Sequence, residues 1–346
     1  MSQFSKTILV TGGAGFIGAN FIEYFSARHP DIRLVDLDAL TYAAHPQAWA
    51  KQKAMANVEP VQGDICDVQT VAELFSKFDV TGVIHFAAES HVDNSIRDPL
   101  RFVRTNVDGT AVLLTEALRF WKKQGVLDTA RFHHISTDEV YGTLSSTGYF
   151  TEKTPYAPSS PYSSSKASAD MIVRAYVRTY GLNATISNCS NNYGPWQHAE
   201  KLIPTVIRKA LAGEPIPIYG NGKNVRDWLW VIDHCRAIEK IFFDGRKGES
   251  YNVGGHNERN NLEITGKICD ILDRLRPLEN GASHRSLVTF VADRPGHDLR
   301  YAIDPSKIVR ELGWHAETTF DEGIKRTVKW YLGDGAELLK LSGKTF

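Results

Sequence analysis

Thr7-Ile8-Leu9-Val10-Thr11-Gly12-Gly13-Ala14-Gly15-Phe16-Ile17-Gly18 is the stretch that decides the fold. Its first four residues are a β-rich run, glycines follow at 12, 15 and 18, and residues 21–28 carry an amphipathic helical pattern. Strand, glycine turn and helix form the context a dinucleotide needs. The glycines permit the tight turn, the approach of backbone to pyrophosphate and the close packing of helix on strand, while the helix N-terminus faces the phosphates. Gly12, Gly15, Phe16, Ile17 and Gly18 are therefore candidate cofactor contacts. A purely structural turn is the alternative, and the second apolar run, residues 32–37, argues against it. That run ends in Asp38, twenty residues after Gly18, where a ribose 2′-OH needs an acceptor. A carboxylate there repels a 2′-phosphate, and Ala39 and Leu40 supply no cation to accept one, so NAD is expected rather than NADP. Asp36 lies on the same side of the strand but farther from its tip.

Working outward, residues 58–61 lead into Gly63-Asp64-Ile65, a helical stretch covers 68–77, and the apolar run 82–88 ends in Glu89-Ser90-His91. Short apolar strands alternating with helical patterns predict an α/β fold, a Rossmann-like doubly wound parallel sheet. Its strand tips line the cofactor: Asp64 and Ile65 border the adenine, and Ala87 and Ala88 are small enough to let the cofactor pass. His85 and His91 have a spacing that suits neither a helix face nor the usual zinc arrangements, so no metal is expected and His85 reads as structural. Long helices are expected at 103–121 and 162–180. Each carries apolar residues beyond one stripe, which suits burial on two sides, in the sheet and against a partner subunit, or plain intramolecular core.

The second of these helices opens with Tyr162-Ser163-Ser164-Ser165-Lys166. Tyr162 and Lys166 are four apart and share a face, so the ammonium can depress the phenol below its usual value of about 10. A phenolate so poised takes a proton from a sugar hydroxyl as hydride leaves the same carbon. Ser136 or Thr137, after the apolar run 132–135, can donate a hydrogen bond to the oxygen being oxidised. Asp138 and Glu139 are left over, and they decide the reaction.

The chain has 346 residues, 42% hydrophobic and 23% charged, as an ordinary globular chain does. Its 40 basic and 40 acidic residues cancel, which argues against non-specific binding to nucleic acid or anionic membrane and leaves an anionic ligand dependent on local cations. No apolar run approaches the roughly 20 residues of a membrane span and no signal-peptide pattern precedes the first strand, so the cytoplasm is the expected compartment. Cys66, Cys189, Cys235 and Cys269 are scattered and read as buried thiols.

The second half reads as a grip on a nucleotide sugar. A strand at 184–187 leads into Asn188-Cys189-Ser190-Asn191-Asn192-Tyr193-Gly194-Pro195, a loop whose asparagines can orient a sugar or the nicotinamide. A helix at 202–211 and an extended segment at 214–220 follow. Arg226 offers a planar fork for a diphosphate, the bland alternative being a pair with Asp227. Residues 228–232, a helix to 243 and residues 251–254 return to the first domain, and 260–275 is a further helix with its cap. Arg294 and His297 belong to another cationic loop, 306–314 and 320–332 are helices, and Gly333 onward reads as a polar tail. The expected domains are 1–195, an NAD-binding unit with a returning segment 227–255, and a smaller α/β substrate-binding unit made of 196–226 and 256–346.

These residues resemble the extended short-chain dehydrogenase/reductases, and within them the dTDP-glucose 4,6-dehydratases. The stretches that carry the likeness are 11–18, 37–43, 85–92, 136–142, 162–166, 188–195, 200–204, 225–228 and 293–303, so it covers nearly the whole chain. Thr137-Asp138-Glu139-Val140-Tyr141-Gly142 is its most specific element, because related epimerases lack the acidic pair. Ala39, Asn94 and Trp196-Gln197-His198-Ala199 depart from the family's usual residues.

The resemblance implies a reaction on a nucleoside-diphospho-hexose, dTDP-glucose. Tyr162, with Thr137 and Lys166, oxidises C4. Glu139 then removes the C5 proton, Asp138 protonates the departing C6 hydroxyl, and the stored hydride returns to C6. The division between Glu139 and Asp138 needs different protonation states, which neighbouring carboxylates reach because like charges push one pKa up. On a regular strand the two would point to opposite faces, so the strand must already have ended in a turn. The candidate substrate contacts are Ser90, His91, Thr137, Asn191, Glu200, Lys201, Arg226, Asn261, Arg294 and His297; Asn191, Tyr162 and Lys166 are also candidate cofactor contacts. A homodimer is expected from the two long helices and family habit. The rival functions are a C4 epimerase or 4,6-dehydratase of a UDP-sugar and, from another class, a non-catalytic NAD-binding regulator.

Overall fold

The computed structural model describes residues 4–293 and 298–341. The chain runs β1 (Lys6–Thr11), α1 (Phe16–Arg28), β2 (Ile32–Asp38), α2 (Pro46–Gln52), β3 (Val58–Gln62), α3 (Val68–Phe78) and β4 (Gly82–His85). Short helices α4 (Val92–Arg97) and α5 (Pro99–Phe102) then enter a π-helical turn, Val103–Asp108, that runs on into α6 (Gly109–Gln124). After β5 (Arg131–Thr137) come a 3₁₀ turn, Asp138–Tyr141, α7 (Pro161–Tyr180), β6 (Ala184–Cys189) and β7 (Asn191–Tyr193). The rest comprises α8 (Leu202–Leu211), β8 (Ile216–Tyr219), β9 (Val225–Trp230), α9 (Val231–Asp244), β10 (Ser250–Val253) and β11 (Glu258–Asn260). It ends with α10 (Asn261–Leu275), β12 (Val288–Val291), α11 (Ser306–Leu312), α12 (Phe320–Leu332) and α13 (Ala336–Leu341).

Seven strands form one parallel sheet in the order β10-β6-β5-β4-β1-β2-β3. The expected doubly wound sheet is therefore present. Its strands are apolar runs because both faces are covered. On one face Leu9, Val83 and Phe132 pack with Phe75 of α3, Leu113 and Trp121 of α6 and Val173 of α7. On the other, Ile8, Val10 and Ile84 pack with Phe21 and Phe25 of α1 and Ile238 of α9. Each such side chain contributes about 1.5–3 kcal/mol by leaving water. Strand order reverses between β1 and β4, and the crevice outside the carboxyl ends of these strands is where such a sheet holds its ligand.

A second core gathers Tyr193, Trp228 and Trp230 with α8, α10 and α12, through Ile203, Ile207, Ile264, Ile268, Ile324 and Val328. Small sheets β11-β9-β7 and β12-β8 accompany it, and β10 returns to the edge of the large sheet. Among the described residues no helix is long and apolar enough to cross a membrane.

Three expectations are corrected. The helix expected at 103–121 starts as a π turn, because Asn106 is turned inward, its amide donating to Glu89 O at 3.0 Å and to Ser165 Oγ at 2.8 Å. The polar tail contains α13, whose Leu338 and Leu339 are buried. Of the four cysteines, Cys66 is only partly buried.

Candidate functional site

The glycine turn is shaped by contact. Gly12 has φ +76°, and a Cβ there would stand 2.7 Å from the Ala87 backbone. Gly15 caps α1 without a side-chain hydrogen bond, and the first turn holds no acidic residue. The positive end of α1 is thus open to an anion at the turn. Asp38, at the tip of β2, accepts from the Ala14 N–H at 2.9 Å and the Leu40 N–H at 2.7 Å. Asp36 accepts from the Gly13 N–H at 2.9 Å and is fully buried beneath the turn. Burial first, then the charge of Asp38, pushes Asp36 well above its ordinary carboxylate value. His85 lies between Thr11 Oγ1 at 2.7 Å and Thr110 Oγ1 at 2.9 Å, a structural histidine.

Beside these elements lies a cleft of about 570 Å³. Gly12, Gly15, Phe16, Ile17, Gly18, Asp38, Asp64, Ile65, Ala87, Ala88, Ser90, Thr137, Asp138, Glu139, Tyr162, Lys166, Asn191, Glu200 and Lys201 all line it. The uncapped helix end at one side and the buried carboxylate at the tip of β2 fit the pyrophosphate and ribose of NAD.

Ser160 starts α7 with a reciprocal capping box to Ser163, and Pro161 takes the first helical position. Tyr162 therefore sits in the first turn with Lys166 one turn on. The expected influence of Lys166 on the phenol is corrected: Tyr162 stands well above its ordinary value, through burial first and then the charge of Glu139. A bond with Thr137 opposes this. The ammonium is directed elsewhere, to Ile135 O at 2.8 Å and His134 Nε2 at 3.3 Å. The choice between Ser136 and Thr137 is also resolved, because strand alternation sends Ser136 Oγ to Asp170 at 2.8 Å, away from Tyr162.

Strand β5 ends at Thr137, and Asp138–Tyr141 form a 3₁₀ turn whose cap is Thr137 Oγ1, accepting from the Glu139 N–H at 3.3 Å. Gly142 ends the turn at φ +88°, where a Cβ would stand 2.5 Å from Ala157 O. The turn brings both carboxylates to the cleft. Asp138 is 1% exposed, and burial first, then the charges of Glu139 and Asp227, raises it well above the carboxylate range against the opposing charge of Arg226. Glu139 is only partly buried. The pair is therefore unequal in burial, which favours the neutral form at Asp138.

Lys201 Nζ donates to Ser90 O at 3.3 Å, and Glu200 lies 3.9 Å from His91 and 3.5 Å from His198. His91, Arg226 and Asn261 do not line the cleft. Arg226 donates to the carbonyls of Val225 at 2.7 Å and Asp298 at 2.9 Å and stacks on Tyr301. Asp227 accepts from the Gly255 and Asn257 N–H groups. Asn261 opens α10, and its carbonyl accepts from Thr265 Oγ1 at 2.8 Å. Arg294 and His297 lie outside the described residues. Arg101, Arg104 and Thr105 also line the cleft, and Arg101 pairs with the buried Glu89 at 2.7 Å. Sequence reasoning missed these: a smooth helix at 103–121 hides the π turn that presents Arg104 and Thr105, and Arg101 lies in the short helix α5, for which no motif spoke.

The sequence model of the GDP-mannose 4,6 dehydratase family matches residues 9–327. The chain is 55% identical over 328 residues to a dTDP-glucose 4,6-dehydratase of Xanthomonas campestris pv. campestris, covering 94% of this chain and 93% of that one. It is 49% identical over 338 residues to a dTDP-glucose 4,6-dehydratase of Salmonella typhimurium, with 94% and 93% covered. Among solved structures it is similar to DesIV, a dTDP-glucose 4,6-dehydratase of Streptomyces venezuelae solved with NAD and dTDP bound. That likeness has a TM-score of 0.87 at 44% identity, over 96% of this chain and 98% of that one. A UDP-glucose 4-epimerase of Thermotoga maritima, solved with UDP-glucose, superposes with a TM-score of 0.83 at 26% identity, over 95% of this chain and 99% of that one.

Proposed function

The chain belongs to the dTDP-glucose 4,6-dehydratases of the extended short-chain dehydrogenase/reductase superfamily, and from that membership we infer that it converts dTDP-glucose to dTDP-4-keto-6-deoxyglucose with NAD as cofactor. NAD, when bound, supplies reversible hydride acceptance from C4 and delivery to C6. The first-turn N–H groups of α1 hold its pyrophosphate and Asp38 its ribose. With the positive nicotinamide bound beside the Lys166 ammonium, the burial and the Glu139 charge that raise the phenol would be offset. Tyr162, then ionised, takes the proton of the 4-hydroxyl, and Thr137 donates to the oxygen as it becomes a carbonyl. The 4-ketone acidifies C5–H. Glu139 removes that proton, Asp138 gives its own to the C6 hydroxyl, and water leaves. Glu139, its proton exchanged with solvent on its more open side, then protonates C5 as the hydride reaches C6, and the proton taken by Tyr162 balances the one that Asp138 gave.

The observation that carries these roles is the 3₁₀ turn at Asp138–Tyr141, which sets a buried carboxyl beside a more open one. An epimerase has no need of such a pair, and a non-catalytic NAD binder has no need of Tyr162, Lys166 and the pair together. Incubation with dTDP-glucose in deuterated water, without added NAD, followed by mass spectrometry of the sugar nucleotide, tests the reading. Loss of one water with a deuteron at C5 is expected. Turnover of UDP-sugars alone, or change at C4 alone, overturns it.

Residues 1–195 with 227–255 form the NAD-binding unit in this reading, and 196–226 with 256–346 the nucleotide-sugar unit. Ser90, Asn191, Glu200 and Lys201 meet the substrate from the cleft wall. A homodimer accounts for the apolar surface of α4, α5, the π turn and α7, where Ile96, Leu100, Val103, Met171 and Tyr180 are exposed. Light scattering at twice the chain mass is the expected result, and a monomer mass removes this assignment. The cytoplasm, where a nucleotide sugar would be met, is the proposed compartment.

A further inference from the structure

We propose that Asp170 is a positioning residue of the reaction, the buried counter-charge that keeps the Lys166 ammonium charged and aimed through His134. The working motif is then Tyr162, Lys166 and Asp170, at successive fourth positions on one face of α7. This rests on the reading of Tyr162 and Lys166 as the C4-oxidising pair.

Asp170 is fully buried. Its Oδ2 accepts from Ser136 Oγ at 2.8 Å, Tyr156 OH at 2.8 Å and Asn188 Nδ2 at 3.3 Å, and its Oδ1 faces His134 Nε2 at 3.3 Å. Burial alone would raise this carboxyl, yet its contact with His134, the charge of Lys166 and the bond from Tyr156 hold it below the ordinary range. A buried carboxylate kept ionised is stable only beside a positive charge. Lys166 provides it.

The same charge interaction matters from the other side. Burial pushes Lys166 down to about 8, and the charge of Asp170 is the first influence that holds it up. His134 Nε2 stands 3.3 Å from Lys166 Nζ and 3.3 Å from Asp170 Oδ1. While Lys166 is charged, Nε2 accepts from it and the ring proton sits on Nδ1, which has no hydrogen-bond partner, as Asp170 Oδ1 has none. If Lys166 loses its proton, the other tautomer donates from Nε2 to Asp170. The ring therefore follows the state of the lysine. With Ile135 O and His134 taking two of its N–H groups, Lys166 keeps the third for the cleft that it lines.

The other titratable neighbours are neutral near neutral pH. On β4, burial holds His85 well below its ordinary value. On β6, burial pushes the Cys189 thiol up to about 12, and on α7 burial raises the Tyr162 phenol well above its ordinary value. Beyond Asp170, Arg174 donates to Tyr156 OH at 2.9 Å and supports the far side of the network.

Asp170→Asn keeps the shape and removes the charge. In its kcat profile the high-pH limb is expected about one unit below that of the unaltered protein, because loss of a nearby opposite charge lowers the pKa of an ammonium. Nitrogen NMR of the Lys166 amine is expected to show the same downward move, independently of turnover, and Asp170→Glu to restore the limb. A uniform fall in kcat with the limb and the Lys166 titration unmoved overturns the proposal and leaves Asp170 a packing residue. Should Asp170→Asn not fold, His134→Leu, which removes the ring between the charges, is read the same way: a lowered Lys166 titration supports the proposal and an unmoved one overturns it. Absence of dTDP-glucose turnover in the unaltered protein is a different result, against the functional reading itself.

Discussion

Thr137 Oγ1 stands 3.4 Å from Asp138 Oδ1 while it accepts the Glu139 N–H at 3.3 Å. One hydroxyl thus closes the strand, caps the turn and touches the carboxyl that holds the proton. Thr137→Val keeps the volume and removes both hydroxyl contacts. It is expected to lower kcat by about 10²-fold, as loss of a hydrogen bond made to a developing charge does, with KM little changed. A large rise in KM at constant kcat would instead make Thr137 a simple binding residue.

Asp138→Asn separates catalysis from stability. The folded-state pKa of Asp138 is raised, so its contribution is fully present below the unfolded carboxylate value and is lost as pH rises toward the folded one. Above neutral pH the neutral amide is relieved of that loss. The variant is expected to melt higher than the unaltered protein near pH 8 and to lose about 10²–10⁴-fold in kcat. Equal melting temperatures across the pH range would show that Asp138 ionises freely.

Tyr162→Phe should retain bound NAD and the fold, because the ring stays packed beside Phe102, and lose about 10²–10⁴-fold in kcat. Cofactor content of the purified variant, measured beside turnover, checks both. Loss of NAD along with activity would give the hydroxyl a binding role.

Asp38→Ala leaves the Ala14 and Leu40 N–H groups without their acceptor, at about 1–3 kcal/mol for each buried group left unpaired. NAD affinity is expected to fall at least tenfold, with the preference over NADP reduced. Unchanged affinity, read by fluorescence titration of the stripped protein, would remove Asp38 from the ribose site.

Acid should unfold this chain early. Burial lowers His45 and His134 to about 4 and His234 to about 3, from an ordinary 6.5. For groups so depressed, stability is present above the unfolded value and is lost as pH falls toward the folded ones. The melting temperature is expected to drop on the order of 10 °C between about pH 7 and about pH 5. A flat melting temperature over that window would show these rings protonated in the folded state.

What could be read in the chain was written in neighbouring residues. The glycines at 12, 15 and 18 with Asp38, the Ser160-Pro161 start of α7, the four-residue step from Tyr162 to Lys166 and the capped start of α10 at Asn260 each depend on chemistry within a turn or two of backbone. The sequence by itself determined the doubly wound sheet and the cofactor class, and it singled out the candidate reacting groups.

Tertiary structure decided their states. Which carboxylate of the pair keeps its proton depends on burial and on Arg226 and Asp227, far along the chain. Where the Lys166 ammonium points depends on β5, through His134 and Ile135 O. The π turn follows from Asn106 reaching Glu89 and Ser165, and the end of the chain turned helical because Leu339 found a place in the second core. Residue spacing carries direction along one element, whereas desolvation and charge are set by whatever packs against it from elsewhere in the chain.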